Sequence, residues 1–342
     1  MPLVQQVYFR APYEAAVRDI ELPSAGPGEV LVQSTLSAIS HGTEMNVYRG
    51  TAPYWTLAHD QQRRLFLQGE TSAWAYPLAY GYACMGRVTG LGEGVAQTLL
   101  GAQVFCYAPH QSCHVLRAED LILVSELPDE KAVFVANVTT AFNGILDATM
   151  HYGDVVVIFG QGVIGQVVGR LCKASGCIVV VVDRHHDRLE RAQAWGADVV
   201  INSREVHDVA LTVRGLTGNR GADVVFDVTG NPGALHEAVR VAAPDCEVVA
   251  LSWYGTSCAD LVLGGEFHHN RIRIRSSQVG RVNPLLVNWS VARRMDVVLD
   301  ILKRCDVESM ITARFPLENA AEAYTLVDRG EPPPLQVVFT YT

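Results

Sequence analysis

Residues 154–165 read Asp-Val-Val-Val-Ile-Phe-Gly-Gln-Gly-Val-Ile-Gly, an apolar run that gives way to three glycines in GxGxxG spacing. The β-branched run at 154–159 predicts a buried strand, and 163–174 carries apolar residues at helical spacing. The glycines therefore fall where a strand turns into a helix. Gly160 permits a tight turn, Gly162 lets the backbone approach a pyrophosphate, and Gly165 lets the helix pack closely on the strand. Val163 and Ile164 open the helix, whose first amides lack intrahelical partners and face outward to phosphate. Glycines used only for packing would give the same letters. An acid at the end of the next strand tips the balance towards a dinucleotide.

That acid is Asp183, which follows the apolar run 178–182 and lies 23 positions beyond Gly160 (183 − 160). A carboxylate there suits the adenosine ribose hydroxyls and favours NAD, whereas the adjacent Arg184 is a partner for a 2′-phosphate and keeps NADP possible. The alternation then continues. Residues 188–195 read as a helix, 199–201 as a strand, 222–227 as a strand, 232–242 as a helix, and 247–251 and 272–276 as strands. Nearly continuous apolar strands alternating with helices specify a parallel sheet covered on both faces. Its strand ends line the ligand crevice of such a sheet, which makes Thr229 and Ser252 cofactor-binding candidates. Capping of the following helix is an equal reading for Thr229. Trp253 and Tyr254 read either as an apolar wall or as core.

The first third differs. Gly26-Pro27-Gly28 precedes a strand at 30–34, and a strand at 84–89 runs into Gly90, Gly92 and Gly94, a pattern of short strands and turns. Segment 51–77 holds Tyr54, Trp55, Phe66, Trp74 and Tyr76, and is open to two readings: a lid, or a loop packed down by its aromatics. Pro128-Asp129-Glu130 starts a helix, with the domain transition near 136. Helices at 292–302 and 318–327 and a strand at 335–341 close the chain. The expected architecture is α/β in two domains: 1–136 with 287–342, and a dinucleotide-binding domain at 137–286.

With 342 residues, 49% hydrophobic and 18% charged, the chain has material for sizeable cores. A net charge of −9 with scattered basic residues argues against a nucleic-acid face. Arg271, Arg273 and Arg275 read as a strand exposing alternate arginines. The eight cysteines form no CxxC series and are expected reduced and mostly buried. Neither a basic-then-apolar leader nor an 18-residue apolar run is present, so a cytoplasmic protein without a membrane segment is expected.

The assembled pattern resembles the medium-chain dehydrogenase/reductase superfamily. Ser40-His41-Gly42-Thr43-Glu44 is similar to its early catalytic signature, Gly81-Tyr82-Ala83-Cys84-Met85-Gly86 to its GHExxG signature, and Thr140-Ala141 lies in its interdomain helix. Ile39 to Glu44, the tyrosine after Gly81, and Ser276-Ser277-Gln278 resemble the hydroxyethyl bacteriochlorophyllide dehydrogenase branch. The resemblance implies a GroES-like catalytic domain, a Rossmann domain, a homodimer or tetramer, and hydride transfer between NAD(P) and a small, relatively apolar alcohol/carbonyl substrate. Where zinc-dependent members place ligands, this chain has Ser40, Tyr82 and about position 136 an alanine, so no metal is expected. Cys106, Cys113 and His114 lack a fourth ligand. The oxygen-handling role then falls first to Tyr82, with Ser40 as relay and His41 as acid/base or pyrophosphate contact. Glu44 reads as orienting His41 or contacting substrate or, more simply, as a solvent-facing helix position. His185-His186 reads as an exposed rim near the adenosine. The competing functions are NADPH-dependent reduction of an activated C=C bond and a non-catalytic nucleotide-binding redox sensor.

Overall fold

The computed structural model describes residues 2–68, 72, 74–255, 258 and 260–341. Contacts divide the chain into two compact units, Met1–Ala136 with Leu302–Thr342, and Asn137–Ile301.

The second unit is a Rossmann domain. Six strands lie in the order Val199–Asn202, Ile178–Asp183, Val155–Phe159, Ala222–Asp227, Ala242–Ala250, Arg273–Ser276, every neighbouring pair parallel. The chain winds outward from Val155–Phe159, then returns to its other side at Ala222–Asp227, so the order reverses at that central strand. Such a reversal opens a crevice beyond the strand ends. All of Val155–Phe159 is buried, as a strand covered on both faces must be. The helix Val209–Leu216 has no counterpart among the expected elements; Asp208 caps it by accepting the Leu211 amide at 2.9 Å. The strand before Leu251 starts at Ala242, not 247, and takes Asp245 at a φ of 63° in its course. Arg271 and Arg275 pair with Asp245 and Glu247, so the arginine run is balanced by acids.

The chain rejoins the first unit at Leu302, inside the helix Val291–Arg304, and not at 287. Arg294 on that helix is 5% exposed and donates to the Asn143 side chain at 2.5 Å and the Val279 carbonyl at 2.8 Å. These bonds hold the helix's first half to the nucleotide-binding unit.

The first unit is the GroES-like β-domain. Glu29–Ala38 pairs antiparallel with Cys84–Leu91, Cys113–Arg117 and the terminal strand Gln336–Thr340. The last of these joins the C-terminus to the first domain's sheet. A hairpin of Leu3–Ala11 and Glu14–Glu21 precedes it. Cys84, Cys106, Cys113, Cys172 and Cys177 are buried and all eight cysteines are free. Among the described residues no helix is long and apolar enough to cross a membrane.

One buried group gives this unit an acid limit. His114 is 4% exposed beside the Cys84 thiol, and burial, with His110 adding, lowers its pKa from 6.5 to about 4. The unfolded chain therefore binds more protons between those values. Stability falls as pH drops from 6.5 to 4 and levels off below, by about 3 kcal/mol for this group. Urea unfolding of His114→Gln across that range should show a shallower pH slope than the parent; an identical slope would show that His114 does not carry the effect.

Candidate functional site

Three glycines of the second unit do three different things. Gly160 has a φ of 91°, and a Cβ on it would lie 3.0 Å from the Thr229 methyl. A Cβ on Gly165 would lie 1.9 Å from the Gly160 carbonyl oxygen, so only hydrogen fits where helix meets turn. Gly162, by contrast, has nothing within 4 Å of that position. It sits at the N-cap of the helix Val163–Ala174, where no side chain caps the first amides. Packing explains Gly160 and Gly165 but leaves Gly162 unexplained. An open cradle over uncapped amides fits a phosphate.

Asp183 is 8% exposed and ties this turn to the end of the next strand. One carboxylate oxygen accepts the Gln161 amide at 2.6 Å, the other the Arg184 and His185 amides at 2.7 and 2.9 Å. Each carboxylate oxygen accepts more than one bond, so three amides do not exhaust its capacity for hydroxyls. Arg184 is exposed, with Nε 3.1 Å from the His185 ring. His185 is buried, which corrects the expected exposed rim, and burial lowers its pKa. Only His186 is exposed, 3.3 Å from Glu190.

Thr229 does not cap the next helix. Asn231 does so, accepting the Ala234 amide at 3.1 Å, while the Thr229 hydroxyl donates to buried Asp227 at 2.7 Å. Burial raises the Asp227 pKa, and the Tyr254 hydroxyl also donates to it, so Tyr254 is more than an apolar wall. Ser252 lies beside Gly230, its Cβ 3.6 Å from where a Cβ on that glycine would stand. Two adjacent strand ends are thus brought together by Thr229, Gly230 and Ser252.

In the first unit the Tyr82 hydroxyl donates to the Ser40 hydroxyl at 2.5 Å. Burial pushes the Tyr82 phenol up to about 12, with the Ser40 bond opposing and the Glu44 charge adding. The phenol therefore keeps its proton at neutral pH and acts as a donor. His41 is partly exposed, just before the helix Thr43–Tyr48.

Glu44 overturns its expected solvent-facing placement. It is 0% exposed, and its carboxylate accepts the Ser40 amide at 2.8 Å, the Tyr324 hydroxyl at 2.7 Å and His110 Nε2 at 3.0 Å. The hydroxyl of Ser37 lies 2.7 Å from His110 Nδ1 and 2.7 Å from the Tyr341 hydroxyl. None of His110, Tyr324, Ser37 and Tyr341 belongs to a motif, and no local signal marked them.

Aromatic contacts describe the segment after this helix. Trp55 stacks on Tyr76 at 4.1 Å and Tyr54 on Trp74 at 4.7 Å; Trp74 meets Tyr80 at 5.6 Å and Tyr80 meets Tyr82 at 6.5 Å. These contacts pack the aromatics of the segment, which also carries the short hairpin Ala58–Asp60 and Leu65–Leu67; residues 69–71 and 73 of 51–77 lie outside the described residues.

The donor set does not suit zinc. Ser40 and Tyr82 are bonded to each other, His110 is held by Glu44 and Ser37, and Cys84 and His114 lie 3.7 Å apart without a third ligand. Among the described residues no three His, Cys, Asp or Glu side chains converge as a metal shell.

Residues 163–292 match the family model described as zinc-binding dehydrogenase, a stretch within the nucleotide-binding unit that contains none of Ser40, Tyr82 and Ala136. The chain is 27% identical over 336 residues to D-guloside 3-dehydrogenase of Escherichia coli K12, covering 94% of this chain and 95% of that one. The short chain alcohol dehydrogenase rspB of E. coli CFT073, solved with NADH, aligns with a TM-score of 0.77 at 23% identity over 99% of both chains. A dehydrogenase-fold protein of Sinorhizobium meliloti 1021, solved bound to NADP, aligns with a TM-score of 0.78 at 17% identity, covering 99% of this chain and 100% of that one. At these identities the structural likeness establishes the fold.

Proposed function

We propose that this chain, a member of the medium-chain dehydrogenase/reductase superfamily, is a zinc-independent NAD(P)-dependent oxidoreductase acting on a small, relatively apolar alcohol/carbonyl pair. The observation that supports the reading is the Tyr82–Ser40 hydroxyl pair, two positions that the resemblance assigns to metal ligands in zinc-dependent members. Relatives described as alcohol and polyol dehydrogenases, such as (R,R)-butanediol dehydrogenase of Bacillus subtilis, support a small alcohol/carbonyl substrate; the apolar character rests on the resemblance alone.

In this reading Gly162 and the first amides of Val163 and Ile164 hold the pyrophosphate, and Asp183 takes the adenosine ribose, which favours NAD. Thr229 and Ser252 flank the strand ends nearer the reacting ring. A nicotinamide held by these residues would supply the hydride for a carbonyl carbon. As that C–H bond forms, the carbonyl π pair moves onto oxygen, and Tyr82 stabilises the developing charge by hydrogen bonding. The phenolic proton, donated to Ser40 at rest, turns to the substrate oxygen and passes to it to give the alcohol; the phenolate is reprotonated from solvent through the Ser40 hydroxyl, which gives up its own proton and takes one from water in the same step. His41 serves as an exchange point with solvent or as a pyrophosphate contact.

The test is spectroscopic monitoring of NADH and NADPH oxidation against panels of aldehydes, ketones and enones. Turnover of carbonyls with NADH ahead of NADPH is expected. Turnover of enones alone would replace the reading with C=C reduction. Tight nucleotide binding without turnover of any panel member would replace it with a sensor.

A further inference from the structure

A fully buried carboxylate is costly unless its surroundings donate to it from every side, and Glu44 is 0% exposed with three donors on its two oxygens. These donors come from three separated parts of the chain. One of them, the Ser40 amide, belongs to the residue whose hydroxyl receives the Tyr82 bond. The partner imidazole controls the other end of that bond. His110 is also 0% exposed, and a Cβ on Gly81 would lie 2.9 Å from its Cδ2 and 3.1 Å from its Nε2. Gly81, at a φ of 135°, immediately precedes Tyr82. One buried pair therefore abuts the backbone at Ser40 and at the residue before Tyr82, the two places that set where the hydroxyls meet.

The hydrogen-bond directions are mutually consistent. The Glu44 carboxylate accepts from His110 Nε2, and the Ser37 hydroxyl links His110 Nδ1 to the Tyr341 hydroxyl, so the pair is held from both sides of the ring.

We propose that Glu44 and His110 are positioning residues for the Tyr82–Ser40 donor, an inference that rests on the carbonyl-reduction reading above. They touch neither substrate nor cofactor in this proposal. Their effect passes through the placement of Tyr82, and small misplacements of a reacting group are expensive. The competing role is a fold staple that ties the helix Ala320–Arg329 to the early chain through Tyr324.

A double-mutant cycle on kcat separates the two, because coupling appears only between groups that act together. Glu44→Gln keeps the side-chain length and is expected to lower kcat for carbonyl reduction about ten- to a hundredfold, with cofactor affinity unchanged. In a Tyr82→Phe background the same substitution should cost nothing further. An equal factor in both backgrounds would overturn the proposal in favour of the staple. Should Tyr82→Phe alone leave kcat intact, the carbonyl-reduction reading itself fails and this inference goes with it. If Glu44→Gln does not fold, His110→Gln replaces it in the same cycle with the same two outcomes.

Discussion

Tyr82→Phe is expected to lower kcat for carbonyl reduction by about 10²- to 10⁴-fold, the range over which a positioned proton donor contributes. That corresponds to roughly 3–5 kcal/mol of transition-state stabilisation. The substitution removes one oxygen and keeps the ring, so its contact with Tyr80 at 6.5 Å has no reason to change. Nucleotide affinity should be unaffected, because the glycine turn lies in the other unit. The pH behaviour follows from the same group. With the phenol pushed up to about 12, roughly one molecule in 10⁵ carries phenolate at pH 7. Reduction keeps its donor across neutral pH, while alcohol oxidation, which needs the phenolate as base, should accelerate as pH rises. Steady-state kcat and KM for both directions, with nucleotide binding measured separately, check this. An unchanged kcat in Tyr82→Phe would remove Tyr82 from the chemistry.

The nucleotide-binding unit was legible because its determinants are local. A buried strand, a glycine turn and a helix follow one another within 154–174, and each parallel strand is announced by its own apolar run. Where that reading failed, the cause was also local. Asp208 marks a helix start, but the eight-residue helix Val209–Leu216 after it is too short to show a strong period and is missing from the expected elements. Thr229 and Asn231 both resemble caps, and only the geometry shows which side chain faces the helix amides.

The hydroxyl site was legible only in part. Tyr82 and Ser40 stood out because they replace expected metal ligands. Glu44 did not, since the helix Thr43–Tyr48 has six residues, too short for periodicity to reveal an inner face. Its partners His110 and Tyr324 lie 66 and 280 positions away, beyond any local pattern. Gly81 was noticed as part of a signature, but its reason, the His110 ring against it, exists only in three dimensions.

Gly165→Ala should destabilise the nucleotide-binding unit by about 1–3 kcal/mol or more, the cost of forcing an extra methyl into a filled space. The added Cβ would stand 1.9 Å from the Gly160 carbonyl oxygen and 3.1 Å from a Val228 methyl, and the oxygen belongs to backbone that cannot swing aside. The helix Val163–Ala174 has to lift from the turn, and bonds at the turn, such as the Gln161 amide to Asp183, loosen with it. Gly162→Ala is the control that separates packing from binding. Its Cβ meets nothing within 4 Å and its φ of −69° suits any residue, so stability should change by less than ~1 kcal/mol. Dinucleotide affinity should nevertheless fall, because the methyl enters the space over the uncapped amides. Thermal unfolding and nucleotide titration of both variants decide the matter. If Gly162→Ala binds as the parent does, the open space over that residue is not the phosphate's; if Gly165→Ala melts as the parent does, the turn has a freedom that its 1.9 Å approach denies.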